Sequence, residues 1–352
     1  EPGLWRIEGR EWEAMAVRLA LRRTRGAGGS VPVGAPSGVI VRQSDAPHGQ
    51  TTVMLADLPA LKDDVASAPV VVAAASGGTG WRSAALFFTS AGGESIPLGR
   101  SAPRAVMGEL GAALGPGSVT MVDERNRLNV SLLAEDMLLT PADDVALSQG
   151  RNLCLVGGEL IQFSRAEQTG PAQFVLSGLR RGLRGTEWAM DHAAGASFLL
   201  LEEERLRDPF AMMGTDAEVG SRAQVAAIGI GDVEPVEAEL MLTGEALIPP
   251  SPVHLRARTD DGGWTIGWTR RSRAGWRWSS GGDVPRAEES ERYTVRVLAG
   301  EVSVRSVETS LPSWTYDAAT IAADGAAGAI TIEIRQTGSR AMGRPALIAI
   351  TV

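Results

Sequence analysis

The sequence predicts an all-β, multidomain chain of antiparallel β-sheets and barrels, and three observations carry that reading. Nearly every apolar run alternates with polar neighbours at period two or is too short for a stable helix. Glycine and proline are abundant, 42 and 19 residues, and they fall between the runs, where a chain of short strands needs its turns. The third is length: 352 residues exceed one ordinary core and suit two or three domains of roughly 100 to 150 residues each.

At the start of the chain, Trp5 and Ile7 alternate with polar neighbours, and Met15, Val17, Leu19 and Leu21 share one face against Arg18 and Arg22 on the other. That spacing predicts strand, with a helical alternative left open by the alanines and glutamates. Residues 25–38, RGAGGSVPVGAPSG, read as a loop and place a boundary there. Short apolar runs follow at 39–41, 52–55, 70–75 and 84–89, parted by Gly77-Gly78, Gly80 and Gly92-Gly93, which suits a small antiparallel barrel or sandwich across 37–116. Residues 105–114 allow one short helix ended by Gly115-Pro116.

The central stretch, 151–201, opens with apolar runs at 153–156 and 160–163 around Gly157-Gly158, a pair suited to a tight hairpin. Gly170-Pro171 bends the chain before the run at 173–176, and 196–201 returns as a strand. Strands are expected again at 224–230 and 237–242. Ile248-Pro249-Pro250-Ser251-Pro252 is a linker stiffened by proline, and 253–352 has the size of one β-sandwich. Within it Trp264, Ile266 and Trp268 share a face, as do Tyr293, Val295 and Val297, and then Ile330, Ile332 and Ile334.

Composition and the scattered reactive residues exclude several functions. Hydrophobic residues at 44% and charged residues at 22% describe an ordinary folded chain, and no apolar run reaches the roughly 18 to 20 residues of a membrane helix. A net charge of −8 argues against specific nucleic-acid binding, which rests on many cations. Cys154 stands alone inside an apolar strand, so no intramolecular disulfide forms. His48, His192 and His254 lie in separate segments, and no metal or cofactor pattern surrounds them. Asp123-Glu124 and Asp143-Asp144 are paired carboxylates of the kind a glycosidase uses, but adjacent residues on a strand or turn point apart. Arg180, Arg181 and Arg184 suit bidentate pairing with carboxylates such as Glu187, or with those of a neighbouring subunit. The chain opens at Glu1-Pro2 without methionine, in mid-pattern, which points to a piece of a longer protein.

One stretch carries a specific likeness. Gly158, Glu159, Leu160 and Ile161, then Leu176, Gly178, Leu179, Arg181-Gly182 and Gly185-Thr186, with His192 before a closing strand, resemble the LxGLxRGxxGT signature of phage tail-tip proteins. These are the baseplate hub and host-specificity proteins of siphophages and of gene transfer agents. Residues 69–93 and 244–278 resemble the same family, and PPSPVHLRA with an early tryptophan resembles a fibronectin type III module at 250–352. The resemblance implies a non-enzymatic virion protein at the tail tip, a homotrimer that contacts other tail proteins. It also implies that 37–116 is an inserted β module interrupting a hub domain made of 1–36 and 117–249, with strands from both sides of it in one sheet. Two alternatives are a carbohydrate-binding module that docks the particle on a host cell-surface glycan, and a glycan hydrolase.

The last domain holds five of the nine tryptophans and both tyrosines, and from Pro250 onward its formal charge is +2, leaving −10 for the rest. Trp276 and Trp278 sit beside a glycine turn with Arg271, Arg273 and Arg277 nearby. That grouping makes 271–286 the expected contact surface, for a neighbouring tail protein first and a glycan second.

Overall fold

A computed structural model describes residues 5–13, 16–23, 49–90, 93–260, 262–276 and 284–352. Among them 49% are strand and 9% helix, so the chain is all-β as its periodicities require. Among the described residues the α-helices are α1 (Asp144–Ser148), α2 (Pro209–Met213) and α3 (Ala318–Asp324), of at most seven residues each.

Residues 1–44 and 45–352 form two compact units. The first contains an antiparallel hairpin, β1 (Trp5–Glu13) and β2 (Ala16–Arg23), with a bulge between Ile7 and Gly9. Period two therefore won over the helical alternative. Ile7 pairs with Leu21, and both stand exposed with Val17 and Leu19. The loop expected at 25–38, the run at 39–41 and His48 lie outside the described residues.

The second unit is built in layers around one hairpin, β3 (Thr51–Leu58) and β4 (Val70–Gly77). Its two faces bury different partners. Leu55, Val71, Ala73 and Ala75 pack with Leu86, Val225 and Ala227, while Ala56, Leu58, Val72 and Ala74 pack with Met107, Leu155, Leu160 and Leu199. Burial on both sides explains why 70–75 is apolar at every position rather than alternating. On the first side lies a four-stranded sheet, ordered β14-β13-β5-β6. It is made from β5 (Ser83–Thr89), β6 (Ser95–Pro103), β13 (Arg222–Gly229) and β14 (Val236–Met241).

On the second side lies a closed six-stranded barrel. Its strands are β7 (Met107–Leu110), β8 (Leu128–Leu132), β9 (Leu153–Val156), β10 (Glu159–Gly170), β11 (Gln173–Arg180) and β12 (Ser197–Leu200). Alternation sends Cys154, Val156, Ile161, Phe163, Phe198 and Leu200 inward, and Leu155, Leu160 and Leu199 outward onto the central hairpin. Gly157-Gly158 makes the tight turn between β9 and β10, with Val156 opposite Glu159.

This pairing corrects the expected domain plan. The segment that interrupts the sheet is the barrel, not residues 37–116: β5 pairs with β13 across it, Val225 opposite Phe88. The chain enters and leaves the barrel at β4, where Ala105 N donates to Ala75 O at 2.9 Å and Arg207 exchanges two bonds with Ala73 at 2.7 and 2.9 Å. The described strands of the expected 1–36 part, β1 and β2, fall within the first unit. Short apolar runs look alike on either side of Gly115-Pro116, and only burial of both faces of the central hairpin decides which pair. The short helix expected at 105–114 is strand β7 instead. Its Gly108 lies so close to β8 that a Cβ would meet Ser131 O at 2.2 Å, a tertiary contact that overrides the helical spacing of the apolar residues.

The C-terminal sandwich has seven strands in two sheets, ordered β15-β16-β19 and β18-β17-β20-β21. They run β15 (Val253–Asp260), β16 (Gly263–Thr269), β17 (Tyr293–Ala299), β18 (Val302–Thr309), β19 (Ser313–Tyr316), β20 (Ala329–Gln336) and β21 (Ala346–Thr351). Ile266, Trp268, Tyr293, Val295, Val297, Ile330, Ile332 and Ile334 form its core. The alternating faces expected from the sequence are the buried ones, and the three-stranded and four-stranded sheets pack their inner faces into one β-sandwich core.

Candidate functional site

Where the barrel's β10 begins, alternation turns Glu159 to the same inner side as Ile161 and Phe163, so a carboxylate closes one end of an apolar interior. Burying it uncompensated is costly, and four donors meet it. Arg181 Nε and Nη2 bind Glu159 Oε1 and Oε2 at 2.8 Å each. Gly182 N donates to Oε1 at 2.8 Å, and His192 Nε2 lies 2.8 Å from Oε2. With Glu159 as the carboxylate, that histidine nitrogen is the donor. Glu159 and Arg181 have no exposed side-chain surface.

The rest of the knot comes from backbone bridges. Leu179, buried in the barrel core, pairs its backbone with Asp123, which brings that carboxylate to 3.5 Å from Arg181 Nη1. The same nitrogen donates to Gly115 O at 3.1 Å. Asp123 also accepts from Arg125 N and Asn126 N at 3.0 Å each and from Asn126 Nδ2 at 2.7 Å. His192 pairs with Leu114 through both backbone bonds, 2.8 and 2.9 Å. Thr186 Oγ1 accepts from Leu160 N at 2.9 Å and donates to Leu183 O at 2.7 Å.

Burial works to raise the Glu159 carboxyl, but the bonds from His192, Arg181 and Gly182 outweigh it and hold it below the ordinary glutamate range. For Asp123 burial again opposes and the Asn126 and Arg125 bonds with the Arg181 charge win, so it too is held low. Both acids stay ionised together. A carboxylate has about four acceptor sites, so Glu159 has none left for a proton in transfer. The arrangement suits holding a fold rather than moving a proton.

The signature residues thus gather in one place: Glu159, Leu179, Arg181, Gly182, Thr186 and His192 form the knot or its backbone frame. Gly178, at φ +64 within β11, stands apart beside Ser164. Gly182 has φ +57 and a Cβ there would meet Glu187 at 2.8–2.9 Å, so both conformation and space demand glycine. The bidentate arginine expected from the sequence is present, with a different partner. Arg181 pairs with Glu159 rather than Glu187, Arg180 with Asp144, and Arg184 donates to Ala60 O at 2.6 Å. Asp143 caps α1 and Glu124 pairs with Arg165, so neither adjacent carboxylate pair forms a cleft of two facing acids. Burial pushes the Cys154 thiol up. Among the described residues no group of histidine, cysteine and carboxylates is placed to hold a metal.

The outer side of the same turn receives the C-terminal sandwich, and here the expected contact surface needs correction. Arg271 pairs with Glu187, an ion pair within the chain. Arg273 is buried, bonding Glu288 at 2.7 Å and the carbonyls of Ala66 and Ala246 at 2.8 and 3.2 Å. Trp276 is half-buried, with its Nε1 donating to Arg273 O at 3.0 Å. All three thus find their partners within the chain itself. Arg277 and Trp278 lie outside the described residues. Sequence reasoning missed Arg344, which covers the Trp188 ring at 3.7 Å and binds Glu245 at 2.6 Å. No local pattern marks that arginine. Gly185, at φ +84, lets Pro250 approach where a Cβ would find its ring carbons at 3.0–3.1 Å.

Solved structures similar to the chain include fibronectin domains FN1–FN3 of chicken CNTN1, at 12% identity over 100% of this chain and 98% of that one, TM-score 0.22. Domains d3–d4 of the rat CD45 extracellular region match at 9% identity over 39% of this chain and 67% of that one, TM-score 0.23. Superpositions this loose say nothing of a shared function. Comparison with curated proteins gives no match. Residues 105–199 match a family model described as Rcc01698-like, C-terminal, a stretch that begins two residues before β7 and ends within β12, and so coincides with the barrel.

Proposed function

We propose that this chain is a non-enzymatic structural segment of the tail tip of a phage or gene-transfer-agent particle, a baseplate hub or host-specificity protein. One observation carries the reading. The barrel that holds the LxGLxRGxxGT residues is also the stretch matched by a family model named from a gene transfer agent-related protein. The use of the signature's polar groups supports a structural role, since Glu159, Arg181, Thr186 and His192 bond to one another or to backbone. On this reading the chain assembles as a homotrimer with other tail proteins around it and supports host attachment.

Among the described residues the surroundings of the tryptophans do not favour the glycan-docking alternative: Trp81 and Trp268 are buried, Trp314 stacks on Tyr316, and the exposed Trp5 and Trp188 carry Arg23 and Arg344 on their ring faces. Deleting the coding segment in the source strain tests the proposal. The expected result is particles without functional tails and loss of DNA delivery. Normal yield and delivery from the deletion strain would overturn it.

A further inference from the structure

The turn 183–188 has two sides, and each is bonded to a different domain. Inward, Thr186 Oγ1 holds the Leu160 amide at 2.9 Å, and Gly182, just before the turn, donates to Glu159 at 2.8 Å. Outward, Glu187 binds Arg271, Trp188 lies under Arg344, and Gly185 abuts Pro250. The two sides touch directly, because the Cα and Cβ of Glu187 press on Gly182 at distances that exclude even one added carbon there. Three backbone bonds within the turn stiffen it: Thr186 N to Leu183 O, Ala189 N to Thr186 O and Met190 N to Glu187 O, at 3.0–3.4 Å.

We propose that this turn is a coupling element: seating of the C-terminal sandwich on Glu187 and Trp188 tightens the barrel's buried knot through Gly182 and Thr186, and loosening one loosens the other. Such a link needs a stiff piece bonded at both ends, and reciprocity follows from linkage. A displacement of the module would then be felt inside the barrel. Packed interfaces of this kind transmit displacement because they are close-packed rather than compliant.

Residue-resolved hydrogen exchange on the full chain tests it. Arg271→Ala removes the cation from Glu187 at a half-buried site. The amide of Arg344, bonded to Pro249 O at 3.0 Å, reports the joint, and the amides of Gly182 and Leu160 report the knot. The amide of Val130, in β8 on the far side of β11, is the control. The expected result is loss of protection by about tenfold at Arg344, Gly182 and Leu160 together, with Val130 unchanged. Arg271→Lys, which keeps the charge without the fork, should give a smaller loss at the same three amides. Two results would overturn the proposal: loss at Arg344 with Gly182 and Leu160 unchanged, which makes the turn an insulator, or equal loss at Val130, which makes the module a prop for the whole barrel.

Discussion

Glu159 and Arg181 meet in a two-pronged ion pair, both bonds 2.8 Å long, at the closed end of a barrel where neither side chain reaches solvent. Cutting such a pair leaves one charge buried alone, so Arg181→Ala should cost about 3–5 kcal/mol. Arg181→Lys should recover little, because a single ammonium cannot fill both oxygens and reach Gly115 O. Urea unfolding followed on the barrel checks this; a loss below about 1 kcal/mol, the worth of a surface pair, would contradict it.

Acid should weaken the barrel in a defined direction. Glu159 and Asp123 are both held below their ordinary values, so each contributes stability above its unfolded-state value and loses it as pH falls through the lower folded-state value. Stability on this account is steady from neutral pH to the ordinary glutamate value of 4.5 and declines below it. Glu159→Gln, besides its cost at neutral pH, should flatten that acid slope. Unfolding free energy measured across the range would show a slope as steep as the parent's if Glu159 were not among the responsible groups.

The joint between barrel and sandwich should depend on Gly185. A side chain there is strained by the positive φ and collides with Pro250, so Gly185→Val should unseat the sandwich while each domain stays folded. Small-angle scattering should report a larger radius of gyration than the parent shows, with far-UV circular dichroism unchanged. An unchanged radius would mean that the joint yields at Pro250 without opening.

Cys154 should behave as a core residue. Its thiol is buried, donates to Ile161 O at 3.3 Å and is pushed above the ordinary range. Alkylation by iodoacetamide should be absent in the native protein and complete in denaturant. Rapid native labelling would show that β9 opens to solvent.

The sandwich was the most legible part of the chain, because Tyr293, Val295 and Val297 alternate with polar residues on strands buried on one face only. The hairpin at Gly157-Gly158 was legible from its turn, a glycine pair between two short apolar runs. Residues 70–75 were not, since a strand covered on both faces has no alternation from which to read a partner. The knot was half legible. Glu159, Arg181 and His192 stood out as a motif, but their mutual contact depends on barrel closure, and Asp123 joins through a bridge to Leu179 that no spacing encodes. Arg273 misled for a related reason. Its neighbours in sequence suggested an exposed cluster, while its bonding partners come from residues 66, 246 and 288.

We propose that this chain is built into a tail tip and does its work there as structure. Electron microscopy of intact particles from the source strain, with an antibody raised against the barrel segment 105–201, tests it most directly. The account predicts label at the distal end of the tail on most particles. Particles that carry no label, with the chain recovered only free in solution, would contradict it.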